Sequence, residues 1–583
     1  MPRQSLKSAY IKQSRMLSQR MYGEQGSALV LVMFLVLLLT ILGLAVLSAA
    51  VGGAQRTETR KNDVQSLHLA EKSLDEGVAY ITANLNKVVE GSVDMSQEQL
   101  QNAIKAYLQK LNENGNGLPT TTELTQAGSS VKADFTAEKP NQYQVTLTSD
   151  AQVNGVQRKL KQILYIDTFP DFLNYTLGSE GDLMINGSPW ISGNIYSGGT
   201  LKLDKKVQYM YQGISKDFTS QSFQLVDGEA HVQSLEQLSY NYWDRPKTAA
   251  EIAGTTFQTE LGVIAQKQVK IRSRRTFVQV NVKESFIDKV SEAMSVKDGS
   301  NRISIRDALK NGTLAYYLRT SDLLKLTENE LIPPVLTDKT PGAQKTYDAA
   351  LVKYKAIIAE LTQGKLQKSV IYSGNLTIND GDLSQIIYEK KEEDDNRYWF
   401  IVDGDLNIES FNASKPAQIK ANMLVTGKVT IRGNAEFDSA MYVLKAGTNA
   451  SDYTTTVEDA EINGFNGSQL VLMSQGPILF NRLKAFDETV TPIKAFFYTD
   501  SSAELYGVGS IFSLKGGFFA KGDLTINAVR GDAVAGNGQI NIVSGTDNVR
   551  FKAEYDNTVF TAQNAGLPRV KAIHIEVGDL ELQ

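Results

Sequence analysis

Residues 28–51 read ALVLVMFLVLLLTILGLAVLSAAV, and no charged side chain occurs between Glu24 and Arg56. As an α-helix rising about 1.5 Å per residue, that run reaches about 36 Å, enough to cross a hydrocarbon core of about 30 Å. Its whole circumference is apolar, whereas a core helix of a soluble domain keeps a polar face. It is also too long for the apolar region of a cleaved secretory signal, about 7 to 15 residues. On its N-terminal side stand Arg3, Lys7, Lys12, Arg15 and Arg20 against Glu24 alone. The positive-inside rule therefore keeps the first residues in the cytoplasm. Nothing later approaches 18 consecutive apolar residues, so the expectation is a single-pass cytoplasmic membrane protein with an extracytoplasmic C-terminal portion.

The segment RTETRKNDVQSLHLAEKSLDEGVAYITANLNKVV (56–89) that follows contains no proline. Leu67, Ala70, Leu74, Val78, Ile81, Leu85 and Val88 recur at helical spacing, with Glu and Lys on the other faces. The membrane helix is thus expected to continue into an amphipathic half whose stripe packs on a folded domain.

Composition narrows the functional classes. The chain has 583 residues, 60 Lys plus Arg against 65 Asp plus Glu, no cysteine and 3 histidines. That length accommodates about three or four domains. A net charge of −5 offers no basic excess for nucleic acid. Without cysteine there is no disulfide, no thiolate nucleophile and no Cys-based zinc site. Three scattered histidines (His68, His231, His574) make a poor basis for a metal centre or a Ser-His-Asp triad.

A basic leader ending YGEQG at Gly26, an uncharged helix directly behind it and an amphipathic continuation resemble the class III signal and stem of type IV pilins. GSALVLVMFLVLLLTILGLAVLSAAV followed by LAEKSLDEGVAYI more specifically resembles the N-terminus of PilX-type minor pilins. The resemblance is strong over about residues 20–90 and weaker on to 168, and it implies a prepilin peptidase that cuts between Gly26 and Ser27. It implies that Ala28, Leu31, Phe34, Leu38, Leu42 and Val46 face membrane lipid or other pilin and pseudopilin subunits. Most major pilins carry Glu at the fifth mature position, where a buried carboxylate needs a partner. Here that position is Leu31, which points to a rare or terminal place in a filament.

Beyond the stem, a polar helix is predicted at about 96–112, closed by NENGNGLP. The period then changes to two, and strands are predicted at about 131–137, 143–151 and 158–167, with Asn154-Gly155 as a hairpin turn. The resemblance implies that this small antiparallel sheet covers the stem helix.

After Pro170 one pattern recurs: GDLMIN from Gly181, GNLTIN from Gly374, GDLNIE from Gly404, GDLTIN from Gly522 and, more loosely, GKVTIR from Gly427. The spacings of 30 residues (Gly374 to Gly404) and 23 (Gly404 to Gly427) fit rungs of a β-solenoid with loop variation. A β-sandwich is the alternative. Residues 204–367 instead carry helical stretches such as VKESFIDKVSEAM and TYDAALVKYKAIIAELTQG, and are read as an α/β insertion.

The expected fold class is α+β: a transmembrane pilin stem helix with a small antiparallel sheet, then a parallel β-helix-like domain carrying an α/β insertion. The expected divisions are a leader (1–26), a membrane or filament helix (27–51), a stem and sheet (52–168), a solenoid (169–203 and 368–583) and the insertion (204–367). Catalytic candidates are few. The acidic run Glu392, Glu393, Asp394 and Asp395 reads as a solvated loop. Asn379-Asp380-Gly381-Asp382 lacks the spacing of a calcium loop and reads as a tight turn. Trp190, Trp243 and Trp399 are the aromatics considered for glycan binding. No P-loop, nucleophile elbow or zincin motif occurs. The expectation is a minor pilin-like subunit without enzymatic activity or cofactor, carrying a large domain for priming, tip capping or adhesion, with a surface glycan or protein as its ligand. Its rivals are a membrane-anchored polysaccharide-active enzyme and an envelope protein outside any pilus.

Overall fold

The computed structural model describes residues 6–583 except 91–96, 114–117, 119, 123–125, 140–141, 168–169, 222, 242–246, 249–250, 252–263, 265, 272–279, 297–299, 389–397, 445–452, 482–485, 487–488, 544–547, 563–565, 569–572, 579 and 583. A long N-terminal apolar helix is followed by a large β-rich domain.

Helix α1 runs from Leu6 to Glu90. Over residues 28–61 nearly every described position is exposed, and a methyl group added at Gly43, Gly52 or Gly53 would touch nothing. From Asn62 onward one face goes under a sheet. Leu69, Ala70, Leu74, Ile81, Leu85 and Val89 enter a core with Ile104 and Leu108 of α2 (Gln97–Glu113). The sheet consists of β1 (Ala127–Lys139), β2 (Gln142–Val153) and β3 (Val156–Asp167), antiparallel in that order. Asn154 and Gly155 both have positive φ, at 47° and 84°, which the tight turn between β2 and β3 demands.

A fourth strand comes from far along the chain. His574–Val577 pairs antiparallel with β3, with Asp167 opposite His574 and Leu164 opposite Val577, and Glu581–Leu582 continues the pairing to Leu160. This corrects the division that ran the β-solenoid to residue 583. β3 would otherwise present a bare edge, and Ile573 and Ile575 join the stem core rather than the other cores.

Between Asp167 and Ile573 lies the β-rich body, built on parallel ladders, unlike the antiparallel sheets of a sandwich. In one ladder, here the motif ladder, Leu376 pairs with Leu406, Leu406 with Val429 and Val429 with Thr455. Further along it Ala503 pairs with Leu524, Leu524 with Leu183, Leu183 with Leu201 and Leu201 with Leu238. All five copies of the repeat therefore occupy one ladder, and the Gly181 copy stacks on the Gly522 copy. A second ladder runs through Val370–Ser373, Trp399–Asp403, Asn422–Val425, Ser439–Val443 and Leu470–Ser474. A third includes Gln385–Ile387, Ala417–Lys420, Phe551–Glu554 and Trp190–Ser192. The inward side chains of all three meet in one core.

The segment read as an insertion, 204–367, also needs correction. Gln224–Asp227, Ala230–Val232 and Leu238–Asn241 pair in parallel with Trp190–Ser192, Ile195–Ser197 and Leu201–Asp204, so they add to the ladders. Their apolar runs are only three or four residues long, and the helical stretches after them dominate the pattern.

Those helices are α3 (Val282–Ala293), α4 (Arg302–Lys310) and α5 (Leu314–Leu318). They cover the outer side of the second ladder, where Val282, Phe286, Ile305 and Leu318 share a core with Trp399, Ile401, Leu424 and Tyr442. That ladder is consequently apolar on both faces, as parallel sheets covered twice are. Helix α6 (Glu328–Leu331) leads to α7 (Pro341–Thr362), whose Leu361 enters the ladder core and whose Tyr354 hydroxyl donates to Asp382 at 2.8 Å.

Carboxylates of the second ladder hold the covering helices. Asp403 Oδ2 accepts from Ala315 N at 2.9 Å, and Asp500 Oδ2 accepts from Val282 N at 3.4 Å. Burial pushes the Asp500 carboxyl above the ordinary aspartate range, against the pull of Lys521 and of the hydrogen bonds from Val282 N and the Tyr498 hydroxyl. A pKa raised by folding contributes stability below the ordinary aspartate value and loses it as pH rises through the raised one. Asp500→Asn, which keeps an acceptor and removes the charge, is thus expected to raise the denaturation midpoint at neutral pH. The gain should fade on acidification, as read by urea melts across pH.

Candidate functional site

Two features set this chain apart chemically: the bare apolar helix and the stacked turns of the motif ladder. The helix is long and apolar enough to cross a membrane, and the most apolar part of it is wholly exposed. Ala28, Leu31, Phe34, Leu38, Leu42 and Val46 are all exposed there, Leu31 by 67 % and Leu38 by 62 %. Side chains of that kind left in water cost roughly 1.5–3 kcal/mol each relative to burial, so the face requires lipid or protein around it. Gly26 and Ser27 lie within α1, and their side chains fall outside the described residues.

Among the stem positions read from the sequence, Ala70, Leu74, Ile81 and Leu85 are fully buried, while Leu67 and Val78 flank the core half-buried. The apolar pattern passed over small residues on the same face. Asn62, Ser66, Ser73 and Gly77 are buried too. Ser66 and Ser73 donate their hydroxyls back to Asp63 O at 2.9 Å and Leu69 O at 2.7 Å, so burial leaves neither donor unmet. At Gly77 a methyl group would lie 3.3 Å from both Leu118 and Val131, so a larger side chain there would crowd the elements that cover the helix. The recurrence of small residues at 62, 66, 73 and 77 was the available signal.

Where α1 leaves the sheet, the hairpin is tied to it. Asn154 Nδ2 donates to Asn62 Oδ1 at 3.1 Å, and the Arg158 guanidinium donates to the Asp63 carboxylate. That hydrogen bond and the guanidinium charge hold the Asp63 carboxyl below its ordinary range. Further up, Glu76 accepts from the backbone and hydroxyl of Thr121, which lowers its pKa likewise.

In the motif ladder, the Asn or Asp after the glycine in four of the copies bonds the chain of a neighbouring strand. Asn375 Oδ1 accepts from Asp405 N at 2.9 Å, and Asp405 Oδ1 accepts from Lys428 N at 2.7 Å. At the other junction Asp523 Oδ1 accepts from Asp182 N at 2.9 Å, and Asp182 Oδ1 accepts from Thr200 N at 2.7 Å. The glycines are needed for room. A methyl group at Gly404 would fall 2.2 Å from Gly374 O, one at Gly427 2.2 Å from Asp405 Oδ1, and one at Gly181 2.4 Å from Asp523 Oδ1.

Asn379 Oδ1 accepts from Gly381 N at 2.9 Å, closing a turn, and the Lys415 ammonium donates to Asp380 O and Gly381 O at 2.7 Å. Glu392, Glu393, Asp394 and Asp395 lie outside the described residues, as does Trp243. Trp399 is fully buried, and Trp190 is half-buried beneath the Lys552 ammonium at 4.6 Å. His68 is exposed beside Glu71. His231 is buried between the Tyr175 hydroxyl at 3.1 Å and Glu229 Oε2 at 2.9 Å. Among the described residues, no group of three or more His, Asp or Glu side chains could hold a metal ion.

No family model and no curated protein matches this chain. Among solved structures, it aligns with the competence-associated pilin ComZ from Thermus thermophilus. The identity is 11 %, with 90 % of this chain and 98 % of that one covered, at a TM-score of 0.25. So low a score does not establish a common fold.

Proposed function

We propose that this chain is a pilin-like subunit of an envelope filament, anchored through α1 and displaying a large β domain. The observation that supports it best is the division of one continuous helix. Its run 28–51 is apolar and bare on every side, and from Asn62 onward one face lies under an antiparallel sheet. Such a helix suits a subunit that waits in a bilayer and then packs against the helices of its neighbours.

In the finer reading, a prepilin peptidase cuts after Gly26 and the mature chain begins at Ser27. The N-terminus faces the cytoplasm and the body is extracytoplasmic. Leu31 stands where an abundant subunit would carry a carboxylate, so the chain occupies a rare position, as a minor pilin of the PilX type that primes or caps the filament. The parallel ladders wind as rungs of a β-solenoid that meets a surface glycan or partner protein, and the chain performs no catalysis. Mass spectrometry of the protein purified from its native membrane tests the reading. Ser27 as the first residue is expected, and an intact Met1 or loss of the whole run 28–51 overturns it. Gold labelling confined to filament ends is expected for the capping role, and even labelling along shafts overturns that role.

A further inference from the structure

We infer that the body is a guest inserted into a β-hairpin of a small host, and that the two units fold and fail independently. The host comprises α1, α2, β1–β3 and the strand His574–Val577.

The chain leaves the small sheet at Asp167 and re-enters it at His574, and these two residues are direct cross-strand partners. Antiparallel partners lie only about 5 Å apart, a gap that a two-residue turn ordinarily bridges. The body thus occupies the place of a hairpin loop. Insertion at such a place is tolerated when the inserted unit brings its own ends together. This one does. The Tyr555 hydroxyl donates to Leu173 O at 2.8 Å, and Val559 and Leu567 share a core with Phe172 and Leu173. The guest also closes upon itself. Its first strands, Leu177–Ser179 and Leu183–Gly187, are laid directly on its late strands Phe512–Ala520 and Leu524–Ala528.

Cores divide in the same way. Among the described residues, the stem core draws only on residues between Leu67 and Ile166 together with Ile573 and Ile575, and the three other cores draw only on residues between Phe172 and Leu567. Hydrophobic burial is the main source of folding free energy, so separate cores make separate cooperative units. Among the described residues no core is shared by guest and host, and the host core is built from its small sheet, α2 and the stripe of α1. On the reading of α1 as an anchor, holding the protein in place belongs to the host, and outward contact to the guest.

The full chain in detergent, followed by hydrogen exchange with mass spectrometry, tests this. Gly427→Val puts methyl groups against Asp405 and the backbone of Gly404, and Gly77→Leu crowds Leu118 and Val131. Gly427→Val is expected to speed exchange at least tenfold across 370–554 while leaving 127–167 and 574–577 unchanged. Gly77→Leu should do the converse. If either substitution opens both units, the inference is overturned. Should a variant fail to accumulate, the unaltered protein decides: two separated exchange transitions under rising denaturant support the inference, and one common transition overturns it. A further arm separates this from the anchoring role. Gly427→Val protein should remain in the membrane fraction; its loss from there, with 127–167 still protected, would overturn the division of labour and leave the folding inference standing.

Discussion

Gly404→Val is expected to cost the body about 3 kcal/mol or more, at the upper end of overpacking effects. A Cβ at this position would meet Gly374 O at 2.2 Å and Gly374 C at 2.5 Å, and both are backbone atoms of the rung beneath. A flexible side chain could swing aside, but the Gly374 carbonyl sits in a short turn between two paired strands, Val370–Ser373 and Leu376–Asn379, and cannot move without them. The flanking strands are fixed on both sides, since Leu376 pairs with Leu406 and Leu406 with Val429. The added bulk therefore separates rungs, and the Asn375 to Asp405 hydrogen bond is lost with them. Chemical denaturation followed by near-ultraviolet circular dichroism should show a lower midpoint. Asn375→Ala, which removes only the acceptor, should cost about 1 kcal/mol by comparison.

The second large effect concerns α1. Leu38→Arg places a charge near the middle of the run 28–51, where insertion scales assign about 2.5–3.5 kcal/mol to arginine. That figure corresponds to about a hundredfold shift between membrane and aqueous fractions. The surrounding side chains offer no carboxylate partner, since the run holds none. Carbonate-washed membranes should lose most of the variant, whereas Leu38→Ile should stay fully retained. Retention of the arginine variant at the level of the unaltered chain would contradict a membrane role for this segment.

What could be read from the sequence followed from local signals. The bare half of α1 is legible because composition alone specifies it. Asn154-Gly155 is legible because a two-residue turn with both φ values positive selects few residue types. The five recurring units, three Gly-Asp-Leu, one Gly-Asn-Leu and one Gly-Lys-Val, identify strands of one kind, and all five occupy one ladder. Their order was not legible. Units that resemble one another this closely are interchangeable as sequence, so nothing in the letters says that Gly181 stacks on Gly522. His574–Val577 escaped for another reason. Four residues carry too little periodicity to register, and their partner is β3, far back along the chain. On α1, Ser66, Ser73 and Gly77 were passed over because a scan for apolar residues does not count the small ones that let a sheet come close.

The pairing of β3 with His574–Val577 also sets a clock on synthesis. A chain that emerges from its N-terminus has β1–β3 early, yet the strand that covers the edge of β3 comes after all the rungs. The same holds within the body, where Leu183–Gly187 waits for Leu524–Ala528. Contacts of such sequence separation form slowly, because closing long loops costs entropy before any contact repays it. Every product that stops short of residue 574 keeps an unpaired strand edge, a feature that proteases and chaperones engage. Completion of the chain is thereby checked by its fold: only a molecule translated past its last rung can bury the edge it exposed first.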